Sequence, residues 1–294
     1  MRSMDVSGAR RVEEPADLHL HSNRSDGTEP PAEVVRSAHA HGVRTLALTD
    51  HDTTAGWAEA ADAAVSLGMT FLPGAELSTR LDWRSVHLLA YLFDPDDPAL
   101  RAQMEEVRGD RMGRAERIVA NISRDYDLVW DDVVAQTQTG ATVGRPHIAD
   151  ALVARGIVAD RGEAFDGILH PREGYYVPHY APDTFRAIEI VRAAGGVPVI
   201  AHPATSGRSG MIPLRTLHDL VDAGLAGFEV DHRENTADGR EVLQRLVAER
   251  DLIATGSSDY HGLGKPNLPG ENTTPAAMVE RIIAAGVGSR PVRA

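Results

Sequence analysis

The chain has 294 residues, 42% hydrophobic and 25% charged, with a formal net charge of −13. That length supports one large single-core domain or two smaller ones, and the acidic balance disfavours a broad footprint for long duplex nucleic acid while leaving room for a local cationic pocket. Because cysteine is absent, disulfides, thiolate metal sites and a cysteine nucleophile are excluded, and any metal must be held by nitrogen and oxygen.

Residues 1–15, "MRSMDVSGARRVEEP", lack the apolar core of a secretory signal and read as a flexible tail. No apolar run approaches the ~20 residues of a membrane span, so the expected location is cytoplasmic, with no membrane partner. Short runs of apolar residues, each followed at once by polar ones, then recur: "ADLHLHS" (16–22), "TLALTDHD" (45–52), "TFLPGAELS" (70–78), "SVHLLAYLF" (85–93), "VPVIAHP" (197–203), "AGFEVDH" (226–232) and "LIATGSSDYH" (252–261). Helical patterns lie between most of them. "PPAEVVRSAHAHG" opens on prolines and closes on Gly42, "AGWAEAADAAVSLG" closes on Gly68, and "TFRAIEIVRAAGG" and "PLRTLHDLVDAG" repeat the grammar.

Strand, helix and glycine in alternation predict a parallel α/β architecture, and seven strands suggest a barrel with its site at the C-terminal strand ends. The expected division is a barrel over 16–96 and 181–285 and an inserted, mainly helical cap over 97–180. The insert opens with one long helix, "PALRAQMEEVRGDRMGRAERIVANIS", followed by "WDDVVAQ", "GRPHIADALVARG" and the aromatic stretch "GYYVPHYAP".

In an extended strand, side chains two apart share a face. His19 and His21 therefore converge, with Leu18 and Leu20 opposite, and the same parity is expected to pair Asp259 with His261. His51, Glu76, His87 and His202 stand in four further strand runs, each expected at the barrel mouth. A control is "HAHG", His39 and His41, which falls on a helix, where residues two apart do not face each other; those two read as surface histidines near a helix C-terminus. Gathering so many titratable groups is costly unless cations neutralise them, and imidazole with carboxylate suits Mn²⁺, Fe²⁺ or Zn²⁺.

The segments "DLHLHSNRSDG", "ALTDHD", "PGAELS", "VHLLAY", "IAHP" and "GSSDYH", in that order, resemble the motifs of the PHP (polymerase and histidinol phosphatase) phosphoesterases. Through "GRPHIADALV" and "GYYVPHY" the chain is similar to the bacterial subgroup of 3′,5′-nucleoside bisphosphate phosphatases and 5′-3′ exoribonucleases. The resemblance implies a distorted (β/α)7 barrel with two or three divalent cations (Mn, Fe or Zn). By motif position, His19, His21, Glu76 and Asp259 would bind one ion, Asp26, His51 and His261 a second, and Glu76 with His87 and His202 a third. Glu76, Asp259 and His261 are the residues expected to carry catalysis, a metal-bridging hydroxide attacking phosphorus with no covalent enzyme intermediate.

A phosphate monoester also needs fixed donors, for which arginine offers a planar fork. Arg108, Arg111 and Arg114 recur every three residues on the long insert helix, either as a solvated face laced with Glu105, Glu106, Asp110 and Glu116 or as a phosphate grip. The resemblance favours the grip for Arg111 and Arg114. Arg145 and His147 are the other expected substrate contacts, His147 having a helix-capping alternative. His179 and His232 read as polar loop residues within reach of the rim, His170 and His218 as structural or surface, and Tyr175, Tyr176 and Tyr180 as hinge packing with base stacking as the alternative. The expected substrate is a small phosphorylated nucleotide, either a 3′,5′-bisphosphate nucleoside or a nucleoside 5′-monophosphate, with no obligate protein partner. Alternatives are a 5′-3′ exonuclease on short oligonucleotides, a non-catalytic PHP module, and a hydrolase of C–N bonds.

Overall fold

The computed structural model describes residues 15–138, 141–178, 180–206 and 210–293. The expected tail, except for Pro15, lies outside the described residues, as does His179.

Alternating residues in the first run make β1 (Ala16–Leu20), whose Leu18 and Leu20 are buried in two apolar clusters. Pro31 at the helix start and Gly42 (φ 89°) just beyond its end bound α1 (Pro31–Ala40). β2 (Thr45–Leu48) and α2 (Trp57–Ser66) follow, and α1 and α2 together cover Leu20, Leu46, Leu48 and Phe71. His39 and His41 are half-exposed and exposed, as expected of their helix.

Seven strands form one sheet in sequence order, and it nearly closes: Leu20 bridges Tyr260 beyond the last strand, with the His21 N–H donating to the Tyr260 carbonyl at 2.9 Å. The expected all-parallel barrel needs correction at the fourth strand. β3 (Thr70–Leu81) turns directly into β4 (Arg84–Tyr91), which pairs antiparallel with both its neighbours. Asp82 takes a left-handed conformation (φ 52°) to make the turn. The physical reason was in the spacing: a parallel return needs a crossover of a dozen or more residues, and the segment between Ser78 and Ser85 is far too short. β4 therefore runs from mouth to base, and His87 enters near its start, opposite Ser78.

From the base, Pro98 begins α3 (Pro98–Ile122), capped by the Asp97 carboxylate, which accepts from the N–H groups of Ala99 (3.0 Å) and Leu100 (2.9 Å). Its first turns place Leu100 and Met104 in the barrel's apolar cluster. Its last turns place Ala115, Ile118, Val119 and Ile122 in a separate cluster with α4 (Trp130–Val134), α5 (Arg145–Ala154) and α6 (Arg161–Asp166). The chain returns through α7 (Thr184–Ala193), where Asp183 bridges Arg80 on the part of β3 that overhangs the mouth. β5 (Val197–Ile200), α8 (Leu214–Asp222), β6 (Gly227–Asp231), α9 (Ala237–Arg250), β7 (Ile253–Gly256) and α10 (Ala276–Ala285) complete the barrel. Among the described residues no helix is long and apolar enough to cross a membrane.

Candidate metal centre

Glu76 is the hub. One carboxylate oxygen, Oε2, lies 3.1 Å from His21 Nε2, 3.2 Å from His19 Nε2 and 3.3 Å from His51 Nδ1. The other, Oε1, lies 2.8 Å from His87 Nδ1 and 3.5 Å from His202 Nε2. Glu76 is 1% exposed. Burial opposes its ionisation, but the imidazoles of His87, His19 and His51 outweigh it and hold the carboxyl well below its ordinary range.

Two further carboxylates flank the hub. Asp26 lies 3.2 Å from His261 Nε2 and 3.7 Å from both His51 Nε2 and His21 Nδ1. Asp259 turns Oδ1 towards His19, His21 and His261, each at 3.4 Å. Burial again resists ionisation, yet His261 beside Asp26, and Lys265 and His261 beside Asp259, hold both carboxyls well below the usual range. Among the histidines, burial pushes His21 down, but its hydrogen bonds with Asp259 and Glu76 prevail and raise it to about 9. His19 is likewise raised, by Glu76, Glu229 and Asp259. His51 and His261 go the other way, because burial dominates there.

All nine residues expected as ligands thus surround one buried space, although not by the geometry expected for each. His51 and His202 stand just past β2 and β5, and Asp259 and His261 lie in a loop beyond β7. Asp259 is left-handed (φ 55°), so strand parity does not bring it and His261 together; the Leu20–Tyr260 bridge does. Left-handed backbone at Asp52 (φ 53°), His202 (φ 31°) and Asp259 concentrates strain around the centre. Gly27 is needed where it stands, since a Cβ there would come within 2.6 Å of the His21 carbonyl oxygen.

The donor set fits cations on the structure's own terms. His19 Nε2 and His21 Nε2 face each other at 3.0 Å, and the buried Glu76 Oε1 and His51 Nδ1 make close contacts, with His87 and Glu76 in turn, that are not directed hydrogen bonds. Three sets of ligand atoms each lie within 4.8 Å of one another: His21, Asp26, His51 and His261; His19, His21 and Glu76; and His51, Glu76 and His87. Buried imidazoles and carboxylates crowded in such proximity are what bound divalent cations resolve.

Sequence reasoning missed or misread several neighbours. Glu229, fully buried in β6, accepts from His19 Nδ1 at 3.0 Å and from the His202 N–H at 2.9 Å. An acid between Phe228 and Val230 in an apolar strand was the available signal. His232 is not a rim residue: it is fully buried, its ring 5.1 Å from that of His202, and its Nε2 is 3.7 Å from Asp259 Oδ2. Asp231, the last residue of β6, is exposed, and the chain turns His232 inward just after it.

The three arginines of α3 separate. Arg108 reaches Thr53 Oγ1 at 3.4 Å, and Arg111 donates to Ser78 Oγ at 2.5 Å and lies 3.5 Å from Asp52. Arg114 is buried, donates Nε–H to the Val177 carbonyl at 2.6 Å and stands over Tyr176. Arg145 faces the same ring at 5.6 Å and borders, with His87 and His202, a cavity of about 370 Å³. Burial and then Arg145 lower Arg114 to about 10. His147 accepts the Gly144 N–H at Nδ1 (3.2 Å), so it does cap α5, while also lining a second cavity with Asn23 and Thr28. Tyr175 donates to Asp125 at 2.8 Å and packs on Tyr126 within the cap. Tyr180 is exposed, His170 accepts the Arg172 N–H, and His218 meets Arg250.

Fold and donor set together define a barrel protein built to hold divalent cations at its mouth. The chain belongs to the PHP domain family, whose model matches residues 17–135. It is 36% identical over 250 residues to a 5′-3′ exoribonuclease of Haemophilus influenzae, spanning 83% of this chain and 89% of that protein. It is 34% identical to the 3′,5′-nucleoside bisphosphate phosphatase of Chromobacterium violaceum, spanning 85% and 88%. A proposed metal-dependent phosphoesterase of Bifidobacterium adolescentis superposes with a TM-score of 0.91 at 41% identity, covering 93% of this chain and 98% of that one.

Proposed function

We propose that the chain is a metal-dependent phosphoesterase that hydrolyses a phosphate monoester of a small nucleotide, either a 3′,5′-bisphosphate nucleoside or a nucleoside 5′-monophosphate. The observation that carries this reading is Glu76 shared among five imidazoles, with Arg145 bordering the same mouth. A second reading, attack on short 5′-phosphorylated oligonucleotides, is supported by the exoribonuclease relative.

Two or three cations, Mn²⁺, Fe²⁺ or Zn²⁺, would be held by His19, His21 and Asp259 with Glu76, by Asp26, His51 and His261, and by His87 and His202 with Glu76. Bound there, they supply Lewis acidity and charge neutralisation for in-line displacement at phosphorus by water. The protein's own groups do the rest. Glu229 fixes the His19 ring by accepting from Nδ1, which leaves Nε2 to face the centre. His261 donates Nδ1–H to the Asp259 carbonyl at 2.8 Å, leaving its Nε2 towards Asp26. Arg145 and Arg114, repelling each other across Tyr176, gain from an anion between them, and a phosphoryl group suits that place. Arg111 ties α3 to Asp52 and Ser78 beside the centre, a place from which it would also reach a bound phosphate. His147, lining the cavity with Asn23 and Thr28, would contact a second phosphate or the phosphate-proximal sugar.

The test is phosphate release from mononucleotides, 3′,5′-bisphosphate nucleosides and 5′-phosphorylated dinucleotides with Mn²⁺ supplied. Turnover is expected on one of the first two classes. Turnover confined to the dinucleotides establishes the second reading, and none on any substrate overturns both in favour of a binding module or a C–N hydrolase. Reaction in ¹⁸O-water is expected to place the label in the released phosphate. Glu76→Gln is expected to lose bound metal and at least about 10²-fold in kcat/KM together; retention of both, by elemental analysis and initial rates, refutes the assignment.

A further inference from the structure

Of thirty cationic Lys and Arg side chains, one is lysine: Lys265, in "GKPN". Arginine supplies every other such charge, which singles out this position. Proline restricts the residue before it to extended backbone, and Lys265 is extended at φ −139° and ψ 156°. That conformation brings Nζ to 2.5 Å from Asp259 Oδ2. The two oxygens of Asp259 are thereby divided, Oδ2 towards Lys265 and, at 3.7 Å, His232 Nε2, and Oδ1 towards His19, His21 and His261. Asn267 secures the same turn, donating Nδ2–H to the Ser258 carbonyl at 2.7 Å and towards that of Asp259 at 3.4 Å. Such holding is required, because left-handed backbone at a non-glycine residue persists only where its surroundings fix it.

A guanidinium offers a carboxylate a fork and tends to engage both oxygens, whereas an ammonium is a compact donor that engages one. We propose that Lys265 is a positioning residue: its ammonium occupies Oδ2 of Asp259 so that Oδ1 is presented to a divalent cation among His19, His21 and His261. The inference rests on the reading of Asp259 as a metal ligand. Lys265 borders a groove lined by Thr28, Asp150, Arg161 and Tyr260, separate from the cavity that Arg145 lines, so its action on the reaction runs through Asp259.

The experiment is calorimetric titration of Mn²⁺ into the wild-type chain, Lys265→Met and Lys265→Arg. Both variants are expected to bind the ion roughly 10- to 100-fold more weakly, the range for loss of a group that orients a ligand. Tighter binding by Lys265→Met would mean that the ammonium only repels the cation, and wild-type binding by Lys265→Arg would mean that any positive charge serves; either overturns the proposal. If the wild-type chain binds no Mn²⁺, the reading of the metal centre fails instead. A measurement without variants guards against misfolding: lysine labelled with ¹⁵N at Nζ gives a single side-chain resonance in this protein. Its protons are expected to stay protected from solvent exchange when Zn²⁺ is added, and their release to fast exchange would show the ammonium leaving Asp259, which overturns the proposal.

Discussion

Glu229 reaches the centre only through other residues, and that makes it informative. It is fully buried and touches both the His19 ring and the His202 backbone. Glu229→Gln keeps the size but sets an amide where an acceptor is needed, and we expect Mn²⁺ affinity to fall roughly 10- to 100-fold by titration. Arg145→Ala removes one of two cations facing Tyr176. It is expected to raise KM for the phosphorylated substrate about 10- to 100-fold with metal content unchanged, the value of one hydrogen bond to a charged group; an unchanged KM would remove Arg145 from the substrate site. At this scale much was legible in the sequence. His19, His21, Asp26, His51, Glu76, His87, His202, Asp259 and His261 are polar residues that interrupt or end apolar runs, and the structure gathers all of them. Glu229 carried the same signal, an acid inside an apolar strand, and was passed over; His232 and Lys265 were not legible as members of the cluster because their membership depends on how the loops after β6 and β7 turn, which one chain's periodicity does not encode.

Among the elements, α3 behaves differently from the rest. It joins two apolar clusters, one with the barrel and one with α4 to α6, and between those contact zones it carries Gly109 and Gly113, each with open space where a Cβ would stand. Glycine inside a helix costs about 1 kcal/mol relative to alanine. Gly109→Ala and Gly113→Ala are therefore expected to raise unfolding free energy by about 0.5–1 kcal/mol each in denaturant titrations. A loss of stability in either would mean that the helix is already bent there. The length of α3 was legible because its proline start and a run of strong helix formers, broken only by Gly109 and Gly113, agree. The direction of β4 was not read, since attention to the apolar run alone hides the shortness of the preceding link.

For the whole molecule, the cluster couples folding to protons and cations. In chelator-treated protein His19, His21 and His202 are raised above their ordinary 6.5, His21 to about 9, by carboxylates that overcome burial. The contribution of His21 is complete below pH 6.5 and is lost as pH rises through about 9, and His19 and His202 act in the same direction above 6.5. His51 and His261, lowered by burial, act in the opposite sense only below 6.5. Melting temperature without metal is thus expected to fall between pH 6.5 and 9. The increment on adding Mn²⁺ is expected to grow over the same window, because the ion replaces those protons. Scanning fluorimetry across that range checks both, and a metal increment that shrinks with pH contradicts the account.

The reversal of β4 has a further consequence. It delivers the chain to the barrel base, so α3, roughly 37 Å long at 1.5 Å per residue, must climb the flank to reach the mouth, while the return at Asp183 is stitched to Arg80 on the overhang of β3. The insert is therefore anchored at two heights on the barrel wall. Exchanging it for the insert of a relative requires transplanting the β3–β4 overhang and the lower turns of α3 as well, so the portable unit for engineering substrate range begins near Arg80 rather than at residue 97.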